Sequence, residues 1–398
     1  MATRVRSYSK INLGLAIGPV RADGFHGLAT LYQTLALHDL VTVEAKPTSQ
    51  KRDVGHPGLG ESKISLTTNH PGVPTDARNT AWKMVERALE RMGMAAEVAI
   101  HIEKELPVQG GMGAGSANAA AALIGLEREL GLEVPERLEL AAEVGSDVPL
   151  FLIGGAVLGL GRGELVSAMP DLPATWCVVA VPEVGVSTPR AFQEWDSLCA
   201  AKSPAAGARV KYGGLSTSLR SGRDDASKGG VEQVGLTSPP QPDRLEKLSH
   251  AYASVFGVRL GAEIASDTSG IVRGPWSEQQ AKGNPPNGLA ENALLALVRT
   301  GIENDFETVV FPQYPLLREI KRLLMGTSAD GFFDAHPADS SGNALYAALS
   351  GSGSALFGLY RSEADAREAQ QRVQATGCKA ILTETLPRQE YWRRMFAE

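Results

Sequence analysis

One stretch constrains this chain more than any other: Pro107-Val-Gln-Gly-Gly-Met-Gly-Ala-Gly-Ser-Ala-Asn-Ala-Ala120. Gly110, Gly111, Gly113 and Gly115 leave almost no side chain along the loop, and Ser116 adds a hydroxyl ahead of an alanine-rich, helix-forming segment. Backbone N–H groups on such a loop can approach a ligand closely. A helix starting directly behind it adds unpaired N–H groups and the positive end of its dipole. That is a site for a polyphosphate. The two common phosphate fingerprints do not fit: no Lys-Ser/Thr pair follows the glycines, and Gly111-x-Gly113-x-x-Ser116 lacks a third glycine. A loop without its own lysine needs positive charge from a metal or from a lysine distant in sequence.

The length of 398 residues predicts two or three domains with ample core. A net charge of −6 argues against a nucleic-acid or anionic-membrane partner. Cys177, Cys199 and Cys378 are few, odd in number and far apart, which argues against a disulfide framework or zinc site and predicts a cytoplasmic protein. No apolar core of a signal peptide follows the charged start, and no run reaches the roughly 20 apolar residues of a membrane span.

Along the chain, residues 3–17, 28–37 and 40–45 pattern as strands, with a loop at 18–27 and an exposed loop at 47–63. Helical spacing marks 79–92, 116–130, 135–144 and 314–325, and 363–375 is helical. Further strands are expected within 98–102, 154–163, 176–182, 344–360 and 380–383. Residues 200–243 are rich in Ser, Gly, Pro and Lys/Arg and cannot build a core. Residues 245–256 are a candidate helix, and order is expected again at 289–299.

Four short constellations carry polar chemistry. Tyr8-Ser-Lys10-Ile-Asn12 places a lysine and an asparagine on one face of a strand. Arg21-Ala-Asp23-Gly24-Phe25-His26-Gly27 puts an aromatic and a histidine on a loop. Gly145-Ser-Asp147-Val-Pro149 sets a carboxylate beside a proline, and Leu349-Ser-Gly351-Ser-Gly353-Ser354 is a small-residue turn suited to backbone contact with phosphate.

In this order, with the glycine run, these segments resemble the GHMP kinases, the superfamily of galactokinase, homoserine kinase and mevalonate kinase. Within it they resemble the family that phosphorylates 4-diphosphocytidyl-2-C-methyl-D-erythritol. The resemblance covers residues 6–195 and resumes over about 289–385. It is carried by Ser9 to Leu13, Arg21 to His26 (with Phe25 for the family's tyrosine), Gly145 to Pro149, Asn304-Asp305-Phe306-Glu307 and Leu349 to Ser354. The sequence departs from the family at Ala114 and Ala117, usually glycine and serine, and in the segment between Trp195 and Leu289.

The resemblance implies a two-domain α/β (α+β) fold. Residues 1–160 would form an N-terminal ATP-binding domain, ribosomal-protein-S-five-like (domain two), with a left-handed β-α-β arrangement. Residues 161–398 would form a ferredoxin-like C-terminal domain carrying a flexible insertion at about 196–288, as a decoration, a lid or an oligomerisation element.

The resemblance also implies roles. Asp147 would take the proton of the substrate alcohol, with Lys10 orienting it and stabilising charge in the transition state. Pro107, Gly110, Gly111, Met112, Gly113, Ala114, Gly115, Ser116 and Asn118 would hold ATP, with Ser116 a ligand of Mg²⁺. Gly351 and Gly353 would close over the phosphates, while Asn79 and Lys104 would lie near the adenosine. Asn12 and Thr188 would position the substrate. Phe25 and Phe192 would sandwich the cytosine, and His26 would read its edge. The partner is then a small molecule, a cytidyl diphosphate sugar alcohol, and the protein a monomer or weak homodimer. Two alternatives remain open: a GHMP kinase for another alcohol, such as homoserine or mevalonate, and a non-catalytic nucleotide-binding relative. Phe25, His26 and Phe192 argue against the first, and Lys10 with Asp147 against the second.

Overall fold

Two long antiparallel strands, β1 (Thr3–Val20) and β2 (His26–Pro47), form the spine of the protein. The computed structural model describes residues 2–48, 62–108, 110–202, 302–326 and 342–398. The loop expected over 18–27 shrinks to the turn between these strands. The two strands expected at 28–37 and 40–45 are one, because Leu37-His38-Asp39 holds no glycine or proline to break it. Register shifts between Tyr8 and Lys10 and between Asn12 and Gly14 absorb the irregularity instead. They set Asn12 opposite Tyr32 and Lys10 opposite Thr34, while Ile11 pairs with Gln33.

β3 (Lys63–Thr68) and β4 (Ala96–Glu103) are parallel, joined through α1 (Thr80–Met92) in a β-α-β unit. The sequence reading missed β3: a short edge strand that buries only Leu66 fully carries little apolar signal. β5 (Ala156–Leu160) pairs with β2, and β6 (Leu165–Ala168) pairs with β5. The sheet runs β11-β1-β2-β4-β3, with β5 and β6 branching from β2 and β11 (Phe396–Ala397) supplied by the far end of the chain. The chain therefore stays in the first sheet to Ala168, past the boundary expected at 160, and returns to it at the end. Helices α2 (Ala114–Leu130), α3 (Arg137–Val144) and α4 (Val148–Phe151) join α1 on one face of this sheet.

The second sheet comprises β7 (Trp176–Val181), β8 (Tyr346–Leu349), β9 (Leu356–Tyr360) and β10 (Lys379–Glu384), in antiparallel order β10-β7-β9-β8. Between β7 and β8 lie α5 (Thr188–Lys202), α6 (Phe306–Gln313) and α7 (Pro315–Met325). Helix α8 (Glu363–Gln374) separates β9 from β10, and α9 (Arg388–Arg393) precedes β11. This is the ferredoxin-like order that the family resemblance implied. Helix α5 runs through residue 196, where the insertion was expected to start. The rest of that insertion, the helix expected at 245–256 and the segment 289–299 lie outside the described residues, as does most of the loop at 47–63.

Three buried clusters hold the layers together. The first lies between the first sheet and α1–α4. The second joins the opposite face of β1, β2 and β5, through Ile11, Leu13, Leu31, Leu35 and Leu158, to Cys177, Val179, Phe357 and Leu359 of the second sheet. The third lies under α5 to α8. The middle cluster presses the two halves together, so that residues on β1 and on the β8–β9 turn meet at one edge. No helix among the described residues is long and apolar enough to cross a membrane.

Candidate active site

The strand alternation that sends Ile11 into the interface core sends Lys10 and Asn12 to the other face, beneath the start of α2. Lys10 is almost fully buried. Its Nζ donates to Asn12 Oδ1 at 2.6 Å and stands 3.4 Å from Asp147 Oδ2. Asn12 Nδ2 donates in turn to Thr30 Oγ1 at 2.7 Å. Asp147 sits at the head of α4 with its carboxylate one-third exposed. Burial pulls the Lys10 ammonium below the usual lysine range, and the Asp147 carboxylate pushes back. The lysine and carboxylate expected to act together are therefore adjacent, one sequestered and one accessible.

The glycine loop is held from both sides. Lys10 N–H donates to the Met112 carbonyl, Ala355 N–H to the Gly110 carbonyl, and the Ser350 hydroxyl to the Gly111 carbonyl at 3.0 Å. Gly113, with φ of +72°, caps α2 without a side chain. The first-turn N–H groups of α2 thus have no side-chain acceptor, whereas α1 is capped by Asn79, whose side chain accepts from Ala81 N–H. Ser116 lies in that first turn, and its hydroxyl takes part in no hydrogen bond among the described residues. The loop can therefore offer backbone donors, a helix dipole and a hydroxyl to an anion.

Opposite the loop, the turn from Ser350 to Ser354 is fixed by Asn304 and Glu307, which the sequence reading left without a role, and by Thr188, expected to position the substrate. Asn304 Nδ2 donates to the carbonyls of Leu349 (2.8 Å) and Gly351 (2.7 Å), and its Oδ1 accepts from Phe306 N–H. Asp305 accepts from Ile17 N–H of β1, and Glu307 from Leu349 N–H. Thr188 meets Ser352 hydroxyl to hydroxyl at 2.7 Å. The Asn304–Glu307 segment is thus a clamp between β1 and the turn bearing Gly351 and Gly353.

Several residues expected near the ligands have protein partners of their own. Met112 is buried in the interface core, so only its backbone faces the loop. Asn118 is buried where α2 packs over β1 and β2, and its amide nitrogen reaches Ser7 Oγ, Asp39 Oδ2 and the Ala114 carbonyl. Lys104 Nζ is committed to Asp39, which also accepts from Glu105 and Leu106 N–H. Asn79 spends its side chain on the α1 cap and on the Pro74 carbonyl.

The aromatic pair also differs from the expected sandwich. Phe192 is already stacked on His26, with centroids 4.8 Å apart and planes 6° apart, and meets Phe306 edge-on. The His26 ring nitrogens face the Gly18 carbonyl and Asp196 Oδ1. Phe25 is 53% exposed, with the Arg162 guanidinium 5.1 Å from its ring centre. Phe25 therefore stays exposed, and Phe192 backs His26.

Residues 79–155 match the family described as GHMP kinases N terminal domain, and residues 338–378 that described as GHMP kinases C terminal. The chain is 34% identical over 261 residues to a 4-diphosphocytidyl-2-C-methyl-D-erythritol kinase from Nocardioides sp. (strain ATCC BAA-499 / JS614), covering 65% of this chain and 85% of the relative. It is 27% identical to a kinase of the same name from Caldicellulosiruptor saccharolyticus, over 96% of both chains. Among solved structures, a 4-(cytidine 5'-diphospho)-2C-methyl-D-erythritol kinase superposes with a TM-score of 0.55 at 23% identity, covering 96% of this chain and 99% of that one. A homoserine kinase from Cytophaga hutchinsonii gives 0.56 at 17%, covering 97% and 95%. Shape alone thus fixes the fold and leaves the acceptor to the sequence relatives and the site.

Proposed function

The chain belongs to the 4-diphosphocytidyl-2-C-methyl-D-erythritol kinase family of GHMP kinases, and on that premise we propose how its own residues carry out the transfer. The reaction is ATP-dependent phosphorylation of the 2-hydroxyl of 4-diphosphocytidyl-2-C-methyl-D-erythritol, giving the 2-phosphate and ADP, in the non-mevalonate route to isopentenyl diphosphate. The observation that carries the reading of the site is the adjacency of buried Lys10 and accessible Asp147 beneath the uncapped start of α2.

Phosphoryl transfer needs alignment and charge stabilisation more than covalent help from the protein. The triphosphate lies along Gly110 to Ser116, with the Ser350–Ser354 turn closing from the second half. The acceptor oxygen bonds to the γ-phosphorus as the bond to the β–γ bridging oxygen breaks. ADP leaves with that electron pair, and the hydroxyl proton passes to Asp147. Lys10 holds the carboxylate in place and offers positive charge to the oxygens that gain it in the transition state. Asn12 keeps the Lys10 ammonium aimed at this point.

Mg²⁺ keeps several waters and needs few protein oxygens when phosphates supply the rest. The uncommitted Ser116 hydroxyl in the first turn of α2 suits that role, and the ion would neutralise charge on the phosphates. No cluster of three or more His, Cys, Asp or Glu side chains suited to a metal occurs among the described residues, so the nucleotide itself would bring most of the ligands. For the base, the exposed Phe25 ring is the stacking surface, with the His26–Phe192 pair as the wall beside it. All these groups come from one chain, so a monomer suffices for catalysis. Cys177, Cys199 and Cys378 form no disulfide, which suits a reducing cytoplasm.

ADP release with a panel of acceptor alcohols tests this reading. Turnover confined to the cytidyl acceptor supports it, and turnover with homoserine or mevalonate in its place refutes the acceptor assignment.

A further inference from the structure

Tyr32 stands across from Asn12 in the β1–β2 ladder, on the face that carries the Lys10 side chain. Its ring is buried. Its hydroxyl donates to Asp147 Oδ1 at 2.9 Å, while Lys10 Nζ approaches Oδ2 and lies 5.5 Å from the Tyr32 ring centre. The two carboxylate oxygens are thus held by different groups from two neighbouring strands.

The β5–β6 hairpin makes room for this phenol. A Cβ on Gly159 would come 2.6 Å from Tyr32 Cε2, and one on Gly163 would come 2.5 Å from the Tyr32 hydroxyl. A phenylalanine would fill the same slot and bury the same ring. What the hydroxyl adds is its bond to Asp147, the single partner it has among the described residues. Burial, together with the negative Asp147 and Glu164, raises the phenol well above its usual range. It therefore keeps its proton, and remains a donor, at any pH where the enzyme works.

We propose that Tyr32 is a positioning residue for phosphoryl transfer: its hydroxyl pins Oδ1 of Asp147 and leaves Oδ2, beside Lys10, to take the acceptor's proton. This rests on the reading of Asp147 as the general base. Without the pin, the carboxylate can rotate about its last torsion, which is broad and soft, and the productive geometry is lost for part of the time. The charged and titratable groups facing Asp147 among the described residues are Lys10 from β1 and Tyr32 from β2. Glu164, on the turn after β5, acts on Tyr32 at longer range and is itself paired with Arg162 at 3.4 Å.

The test is Tyr32→Phe, which retains the ring. The expected result is a fall in kcat of about tenfold or more, because a hydrogen bond to a charged group is lost at the reacting centre. KM for ATP and acceptor should stay within about twofold of the wild type. Wild-type kcat, or a rise in KM alone, would overturn the proposal. The comparison uses whichever alcohol the wild type phosphorylates, so an error in the acceptor assignment is seen separately. A second measurement needs no turnover: in protein labelled with ¹³C at tyrosine Cζ, the resonance lost in Tyr32→Phe should shift in Asp147→Asn. A resonance that stays in place would also overturn the proposal.

Discussion

The Cα of Gly111 stands against the carbonyl of Ser350, so that a Cβ there would collide with that oxygen and come within 3.0 Å of its carbon. The glycine loop and the turn of the second half therefore meet backbone to backbone, with the Ser350 hydroxyl bonded to the Gly111 carbonyl. Gly111→Ala should force the two halves apart as well as strain a backbone with φ of +78°. The expected loss is about 2 kcal/mol or more of stability in chemical denaturation, with a raised KM for ATP. Gly131→Ala is the control: φ is +66° but the surrounding space is open, so the cost should be about 1 kcal/mol with KM unchanged.

Lys10 is the group that should set the alkaline limb of activity. Burial holds it below the usual lysine range. The folded protein therefore binds fewer protons than the unfolded chain between the lowered value and the ordinary one near 10.4, about the model-peptide figure. Stability should rise with pH across that window while activity falls. Lys10→Met should reduce kcat about a hundredfold to a thousandfold without lowering the melting temperature. A melting temperature that drops sharply in this variant would show that the buried ammonium stabilises the fold.

Asn304 should matter to catalysis without touching either substrate. Asn304→Ala would leave the Leu349 and Gly351 carbonyls and Phe306 N–H without their partner. Each buried group so abandoned costs about 1–3 kcal/mol. The expected outcome is a clear loss of stability together with weaker ATP binding, measured by denaturation and by calorimetric titration.

Much of this site was legible in the sequence, for reasons that can be named. A glycine run ahead of an alanine-rich helix has few physical uses, and Lys10 and Asn12 share a face by strand alternation alone. The roles of Asn79, Lys104, Asn118 and Phe192 were not legible. Asn79 is taken by a local helix cap and the nearby Pro74 carbonyl, while Asp39, Ser7 and His26, the partners of the other three, are brought in by tertiary packing. Tyr32 escaped because a tyrosine in an apolar strand reads as core. Only the β1–β2 register and the bare β5–β6 hairpin bring its hydroxyl to Asp147. The clamp from Asn304 to Glu307 is hidden likewise, since its partners on β1 and the β8–β9 turn are distant in sequence.

The aromatic residues should separate by role. Phe25 is exposed, so Phe25→Ala should leave stability unchanged and raise KM for the cytidyl acceptor about tenfold to a hundredfold, the worth of one base stack. Phe192→Ala removes the ring behind His26 and exposes Phe306. It should therefore lower stability as well as raise that KM. Steady-state kinetics paired with thermal melts distinguishes the two patterns.

The account's central claim is that Asp147 serves as base for the hydroxyl of a cytidyl diphosphate acceptor. The most direct measurement is Mg²⁺-dependent ADP release by the wild type and by Asp147→Asn with 4-diphosphocytidyl-2-C-methyl-D-erythritol, homoserine and mevalonate. The account predicts turnover with the first acceptor alone, and a loss of about a hundredfold to ten-thousandfold in kcat in the variant. Undiminished kcat in Asp147→Asn, or turnover with homoserine or mevalonate in place of the cytidyl acceptor, would contradict it.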